Sequence, residues 1–113
     1  MEGRKVEIVS VYIQENSWIA AIAARNLRSS TCALVIRNTV YLHGMTRHEF
    51  ISNPSLLRHE VEHIRQWKRE GFFFFLAKYL WHSFRVGYYH NPFEVEARDS
   101  ESDLGFLHQI RIH

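Results

Sequence analysis

Apolar positions recur along the chain with changing period, and each period predicts a different element. From Val6 to Ile13 apolar and polar residues alternate enough for a short strand, interrupted by Glu7 and Ser10. Ser17 is placed to cap a helix over Trp18 to Arg28, where Ile19, Ile22, Ala23 and Leu27 fall on one stripe. Thr31 to Ile36 and Thr39 to Leu42 are β-rich runs on either side of Arg37-Asn38, the pattern of a hairpin. The period then lengthens: Leu57, Val61, Ile64 and Lys68 share one helical face, with Trp67 beside it. Asn53 is suited to cap that helix, Pro54 to open it and Gly71 to stop it after Lys68 and Arg69. Asn91 and Pro92 signal a further helix start. Leu104 to His113 ends in the alternating run Gln109-Ile110-Arg111-Ile112-His113, which suits a strand added to a sheet edge or lying in a cleft. The sum is an α+β chain: a short antiparallel sheet packed on a central helix, with two or three further helices.

The most apolar stretch, Phe72-Phe73-Phe74-Phe75-Leu76-Ala77 followed by Tyr79, Leu80, Trp81 and Phe84, is broken by Lys78, His82 and Arg85. A membrane span needs about 20 apolar residues, so no transmembrane helix is expected. A core this small can hardly cover every one of these aromatics, so core or partner surface is the first expectation for Phe72 to Phe84, and a hydrophobic cleft, an oligomer contact or a peripheral membrane contact are the alternatives.

At 113 residues the chain is read as one domain over 1–113. Fourteen basic and twelve acidic residues, mixed along the chain, give a net charge of +2 and no strong basic face, so nucleic acid is not an expected partner. Cys32 is the single cysteine, so no intrachain disulfide forms, and its setting before Ala33-Leu34-Val35-Ile36 suits a small core residue; a cytoplasmic location is expected. The amino terminus has neither an adequate apolar stretch nor a clear cleavage site for secretion.

Chemistry enters at His59-Glu60-Val61-Glu62-His63, an HExxH pattern on the predicted central helix. Residues four apart lie one turn above each other, so both imidazoles can reach a single metal, with Glu60 as candidate base. A metal with three protein ligands lowers the pKa of a bound water from about 15.7 towards roughly 7, and a neighbouring carboxylate can accept the proton as the water attacks a carbonyl. The eight histidines raise the chance of a coincidental match, and a solvated His/Glu helix face is the plain alternative. A third ligand is available in Asn91-Pro92-Phe93-Glu94-Val95-Glu96-Ala97. Glu94 falls in the first turn of that helix, and Glu96 points nearly the opposite way, so only one of them can face the metal. Glu94 can instead close a capping box with Asn91.

From Leu56 to Asp99 the sequence resembles the gluzincins, zinc peptidases with HExxH on one helix and a glutamate ligand on the next, and especially their smallest single-domain members, the minigluzincins. His59 to His63 followed by Gln66, and then Asn91-Pro92-Phe93-Glu94-Val95-Glu96-Ala97, carry the resemblance. It implies a zincin-like fold, zinc on His59, His63 and Glu94, and Glu60 as general base and acid in peptide hydrolysis. It also implies peptide or protein substrate pairing with an edge of the hairpin, and latency, as in a zymogen, through the terminal segment. Many relatives carry an aspartate right after the alanine, positioned to hydrogen-bond a ligand histidine; here Arg98 stands there and Asp99 follows. Tyr88, Tyr89 and His90 precede Glu94 and are candidates for steadying an oxyanion, and Arg98 can pair with a carboxylate or oxyanion. His43, His48, His82, His108 and His113 lack a partner at ligand spacing. A His/His/Glu set also admits manganese or cobalt.

Three functions follow. The first is a zinc peptidase working through Glu60. The second is a zinc-stabilised protein without turnover. The third treats the pattern as coincidence and the aromatic segment as the working surface of a membrane-binding or partner-binding module.

Overall fold

The computed structural model describes residues 8–102 and 110–113. Four strands, β1 (Val9–Gln14), β2 (Cys32–Ile36), β3 (Thr39–His43) and β4 (Ile110–Ile112), form one sheet in the order β2-β3-β1-β4. Five α-helices accompany it: α1 (Trp18–Asn26), α2 (Arg47–Ile51), α3 (Pro54–Glu70), α4 (Phe72–His90) and α5 (Pro92–Asp99), the last followed by a 3₁₀ turn over Ser100–Ser102. The α+β class expected from the sequence is therefore the class observed.

The expected antiparallel pairing holds for the β2–β3 hairpin, where Ile36 pairs with Thr39 across Arg37-Asn38. The other two pairings are parallel: β1 runs alongside β3 and alongside β4. The sheet is mixed because β2 runs opposite to β1 and the hairpin turns β3 back into the direction of β1, while β4 starts at the opposite end of the sheet from where β3 finishes; periodicity cannot report strand direction. Ile110–Ile112 takes the edge position, with His113 stacked on Tyr12 at 4.5 Å between ring centroids and its carbonyl accepting from Arg47 at 2.6 Å. Val6, Glu7 and Leu104 to Gln109 lie outside the described residues.

Helix α2 escaped the sequence reading. It has five residues, and only Phe50 is buried, so it presents no period to detect. Thr46 and Glu49 nevertheless close a capping box around its first turn.

The core lies between the sheet and α3: Val11, Val40 and Leu42 from the sheet meet Leu57, Val61 and Ile64 from the helix, with Phe50, Phe75 and Phe93 filling the ends. Trp67 donates its indole N–H to the Val35 carbonyl at 3.1 Å, tying α3 to the outer strand β2. Asn53, Pro54 and Gly71 perform the expected roles, the Asn53 side chain accepting from the Leu56 N–H. Gly71 sits at φ 86°, a conformation that favours glycine, which lets the chain turn directly from α3 into α4. Gly87, at φ 82°, breaks α4 again, so Tyr88 to His90 form a short turn beyond the kink.

Candidate metal centre

The HExxH residues sit on the covered side of α3: His59, Glu60, Glu62 and His63 are all buried, which excludes a solvated charged face. The Asn91 side chain accepts from the Phe93 N–H and Pro92 opens α5, so Glu94 lies one turn in and points at α3. The carboxylate does not close a capping box. Its Oε1 lies 3.2 Å from Nε2 of His59 and 3.2 Å from Nε2 of His63. The ligand atoms of His59, His63 and Glu94 all fall within 4.8 Å of one another, a group that can hold a metal ion. Glu96 points away, accepting from Gln66 and pairing with Arg69, as the two-residue spacing predicted.

Each imidazole is oriented through its other nitrogen. His59 Nδ1 lies 2.7 Å from Oε2 of Glu101, and His63 Nδ1 lies 2.8 Å from Oε1 of Gln66. In both rings an Nδ1–H donor leaves Nε2 to face Glu94, the arrangement a metal-binding histidine needs. Gln66 is completely buried and its Nε2 also donates to the Phe93 carbonyl at 2.9 Å and to Glu96 at 2.8 Å, so one amide fixes His63 and the start of α5 together. The second glutamate oxygen, Glu94 Oε2, accepts from the Tyr79 hydroxyl of α4. Tyr79 is held in turn by Asn91, whose Nδ2 donates to the Tyr79 carbonyl at 3.0 Å and to Ser83 Oγ at 2.8 Å.

Without a metal these groups titrate against one another. Burial alone would lower His59, but its hydrogen bond to Glu94, the charge of Glu60 and the hydrogen bond to Glu101 outweigh it and push the pKa up to about 9. His63 is raised in the same way, burial again opposing Glu94 and Glu60. Burial would raise Glu94, yet the hydrogen bonds from His59, His63 and Tyr79 hold it well below the usual carboxylate range. Glu60 goes the other way: burial dominates the favourable charges of His63 and His59 and lifts its pKa to about 7.

The structure revises several sequence expectations. Asp99 is exposed and does not orient a ligand; Glu101, two residues further into the 3₁₀ turn, takes that position against His59. The signal was a carboxylate in the turn after α5, invisible until the turn's geometry was known. Arg98 donates to the Tyr89 carbonyl and stacks over the Tyr89 ring at 4.0 Å, so both are engaged with each other. His90 is exposed against Tyr89 and joins no metal group. Tyr88 is different: burial and the charges of Glu94 and Glu60 raise its phenol, which places it in the field of the site although its side chain is half exposed. Tyr79, which periodicity marked only as apolar filling, is the tyrosine in contact with Glu94. Among the described residues, His43, His48, His82 and His113 stay outside the group, and His108 lies beyond them.

A surface cavity of about 440 Å³ lies elsewhere, lined by Val9, Asn38, Ile64, Trp67 and Phe72, and none of the three candidate ligands borders it. The chemistry therefore centres on the α3–α5 contact, and the volume of that cavity says nothing about it. Among the described residues no helix is long and apolar enough to cross a membrane. Comparison with protein-family models, curated proteins and solved structures finds no match to this chain.

Proposed function

We propose that the chain is a zinc-dependent peptidase of the gluzincin type. The observation that carries the reading is the convergence of His59 Nε2, His63 Nε2 and a Glu94 oxygen, with both Nδ1 atoms already held and Glu60 buried on the same helix. Two imidazoles and one carboxylate suit zinc and leave a coordination position for water. When bound, the metal supplies Lewis acidity, which acidifies that water and polarises a carbonyl.

The remaining work belongs to the chain. Glu60, buried beside His59 on the same helix, is placed to take a proton from water and to return it to a leaving amine. Glu101 and Gln66 keep the two imidazoles facing inward, so no reorientation is needed at the moment of reaction. Tyr88 stands in the field of Glu60 and Glu94 with its side chain half exposed, where a phenol can donate to a developing oxyanion.

Strand β2 is the outer strand of the sheet on the side of α3, and the Cys32 thiol at its start is raised first by burial and then by the charge of Glu60. That proximity favours this edge as the place where an extended peptide pairs through its backbone. The described part of the terminal segment, Ile110–His113, occupies the opposite edge, beside β1.

The test combines metal content with turnover. One zinc per chain, together with peptide cleavage that Glu60→Gln removes while the zinc stays, is the expected result. A chain that takes up no metal, or an equally active Glu60→Gln variant, would sink the proposal.

A further inference from the structure

Helix α4 carries a second surface that the metal centre does not use. Its inner side packs Phe75 into the core and places Tyr79 on Glu94. Its outer side bears Phe73, Leu80, Trp81 and Phe84, spaced seven, eight and eleven residues from Phe73, which is one helical stripe. These side chains are 81, 58, 57 and 85% exposed, and Phe74 beside them is 70% exposed. Over Phe73 to Phe84 the stripe runs about 17 Å, at the 1.5 Å rise of a helix. A chain this small rarely leaves so many aromatics in water without a use for them.

The charges around the stripe identify its occupant. Helix α4 contains no aspartate or glutamate in its nineteen residues, and its basic groups Lys78 and Arg85, seven apart, run along one border of the stripe. The Arg85 guanidinium lies 5.9 Å from the Trp81 ring centroid, so its charge is held at the margin of the apolar surface. Lys78 also reaches Glu70, at 2.7 Å. A second copy would bring this acid-free helix against its own image, where Glu70 of the same chain already meets Lys78 and neither α4 offers a carboxylate to Arg85. A bilayer with anionic headgroups meets both features at once, taking the aromatics at the depth of the acyl boundary and Lys78 and Arg85 among phosphates and carboxylates.

We infer that α4 is a membrane-surface helix that seats the protein on an anionic lipid bilayer through Phe73, Phe74, Leu80, Trp81 and Phe84. The inference stands on this helix face alone and does not depend on the metal reading.

The experiment is co-sedimentation of the full chain with phosphatidylcholine vesicles containing phosphatidylserine, beside vesicles of phosphatidylcholine alone. Binding to the anionic vesicles, weaker on the neutral ones, is the expected result. The double variant Phe73→Ser, Phe84→Ser, which touches no core residue, lowers it by tenfold or more on the transfer energies of two phenylalanines. Arg85→Gln lowers it by about fivefold, as expected for one basic residue at such a surface. Circular dichroism and metal content stay at the values of the unaltered chain in each variant. Absence of binding to either vesicle, or binding that the double variant leaves intact, would overturn the inference. So would light scattering that shows a dimer dispersed by the double variant, without vesicle binding, which would give the face to a second copy.

Discussion

The metal group and the outer face of α4 invert the usual distribution of side chains in opposite directions. Around His59, His63 and Glu94 the chain buries titratable groups, and each finds a partner aimed by a neighbour. Along Phe73, Trp81 and Phe84 it leaves large aromatics 57–85% exposed, which their neighbours Phe72 and Arg85 among the described residues do not cover. Both arrangements cost stability: a buried charge loses hydration, and an exposed aromatic forgoes burial. Regions that depart from what folding alone favours are where function is concentrated. The difference is that the first region is closed on itself and can hold an ion, whereas the second is open to solvent.

Replacing one member of the closed region gives the largest effect. Glu94→Ala removes the carboxylate that faces both imidazoles; metal content falls from about one per chain to near zero. In the chelated protein the same change costs about 3–5 kcal/mol, the range for breaking a buried ion pair, measured by urea unfolding. Glu96→Ala, on the opposite side of α5, keeps its metal, and loss of metal there would erase the distinction between the two glutamates.

Glu60→Gln separates chemistry from binding. Peptide hydrolysis drops by about 10²–10⁴-fold, the contribution of a general base, while elemental analysis finds the metal unchanged. The groups that orient the ligands come next: Gln66→Ala and Glu101→Ala each weaken metal affinity by about 10–100-fold, read by competition with a chromophoric chelator.

The pH response has a definite sign in the chelated chain. His59, raised to about 9, favours the folded state below its ordinary value of 6.5, and that contribution disappears as pH rises through 9. Glu60, raised to about 7, penalises folding increasingly as pH climbs from 4.5 through 7. Glu94, held low, contributes above its ordinary 4.5 and loses this only in strong acid. The chelated protein therefore melts at lower temperature at pH 9 than at pH 6, and the gap to the metal-loaded protein widens over the same interval, since protons no longer compete for Nε2. A gap that narrows would contradict this assignment of charges.

The smallest effect belongs to the open region. Phe84→Ser changes unfolding free energy by less than about 0.5 kcal/mol, because the side chain is 85% exposed and the ring it stacks on, Trp81, is itself exposed. A large loss would mean that the face is part of the core after all.

Much of this was legible in the residues. Asn53, Pro54 and Gly71 bounded α3, Asn91 and Pro92 opened α5, and opposite helix faces separated Glu94 from Glu96. These signals are local, and local signals survive folding. The parallel pairing of β1 with β3 and β4 was not legible, because strand direction depends on the path of the whole chain. Nor were the contacts of Glu101 and Tyr79: a carboxylate in a one-turn 3₁₀ segment and a tyrosine among phenylalanines gain their meaning only when α3, α4 and α5 meet. Tyr88, named from its place in the chain, lies in the field of Glu60, while Tyr89 is occupied with Arg98.

The Gln66 amide imposes a constraint of a different kind. Its one acceptor and two donors are all committed, the oxygen to His63 and the nitrogen to Phe93 and Glu96, so reversing the amide end for end would set acceptor against acceptor at every contact except the imidazole. A glutamate of the same shape fails for the same reason. Many core residues can be traded for others of similar volume, but position 66 behaves as a keyed joint: its outline admits two residues and its polarity admits one.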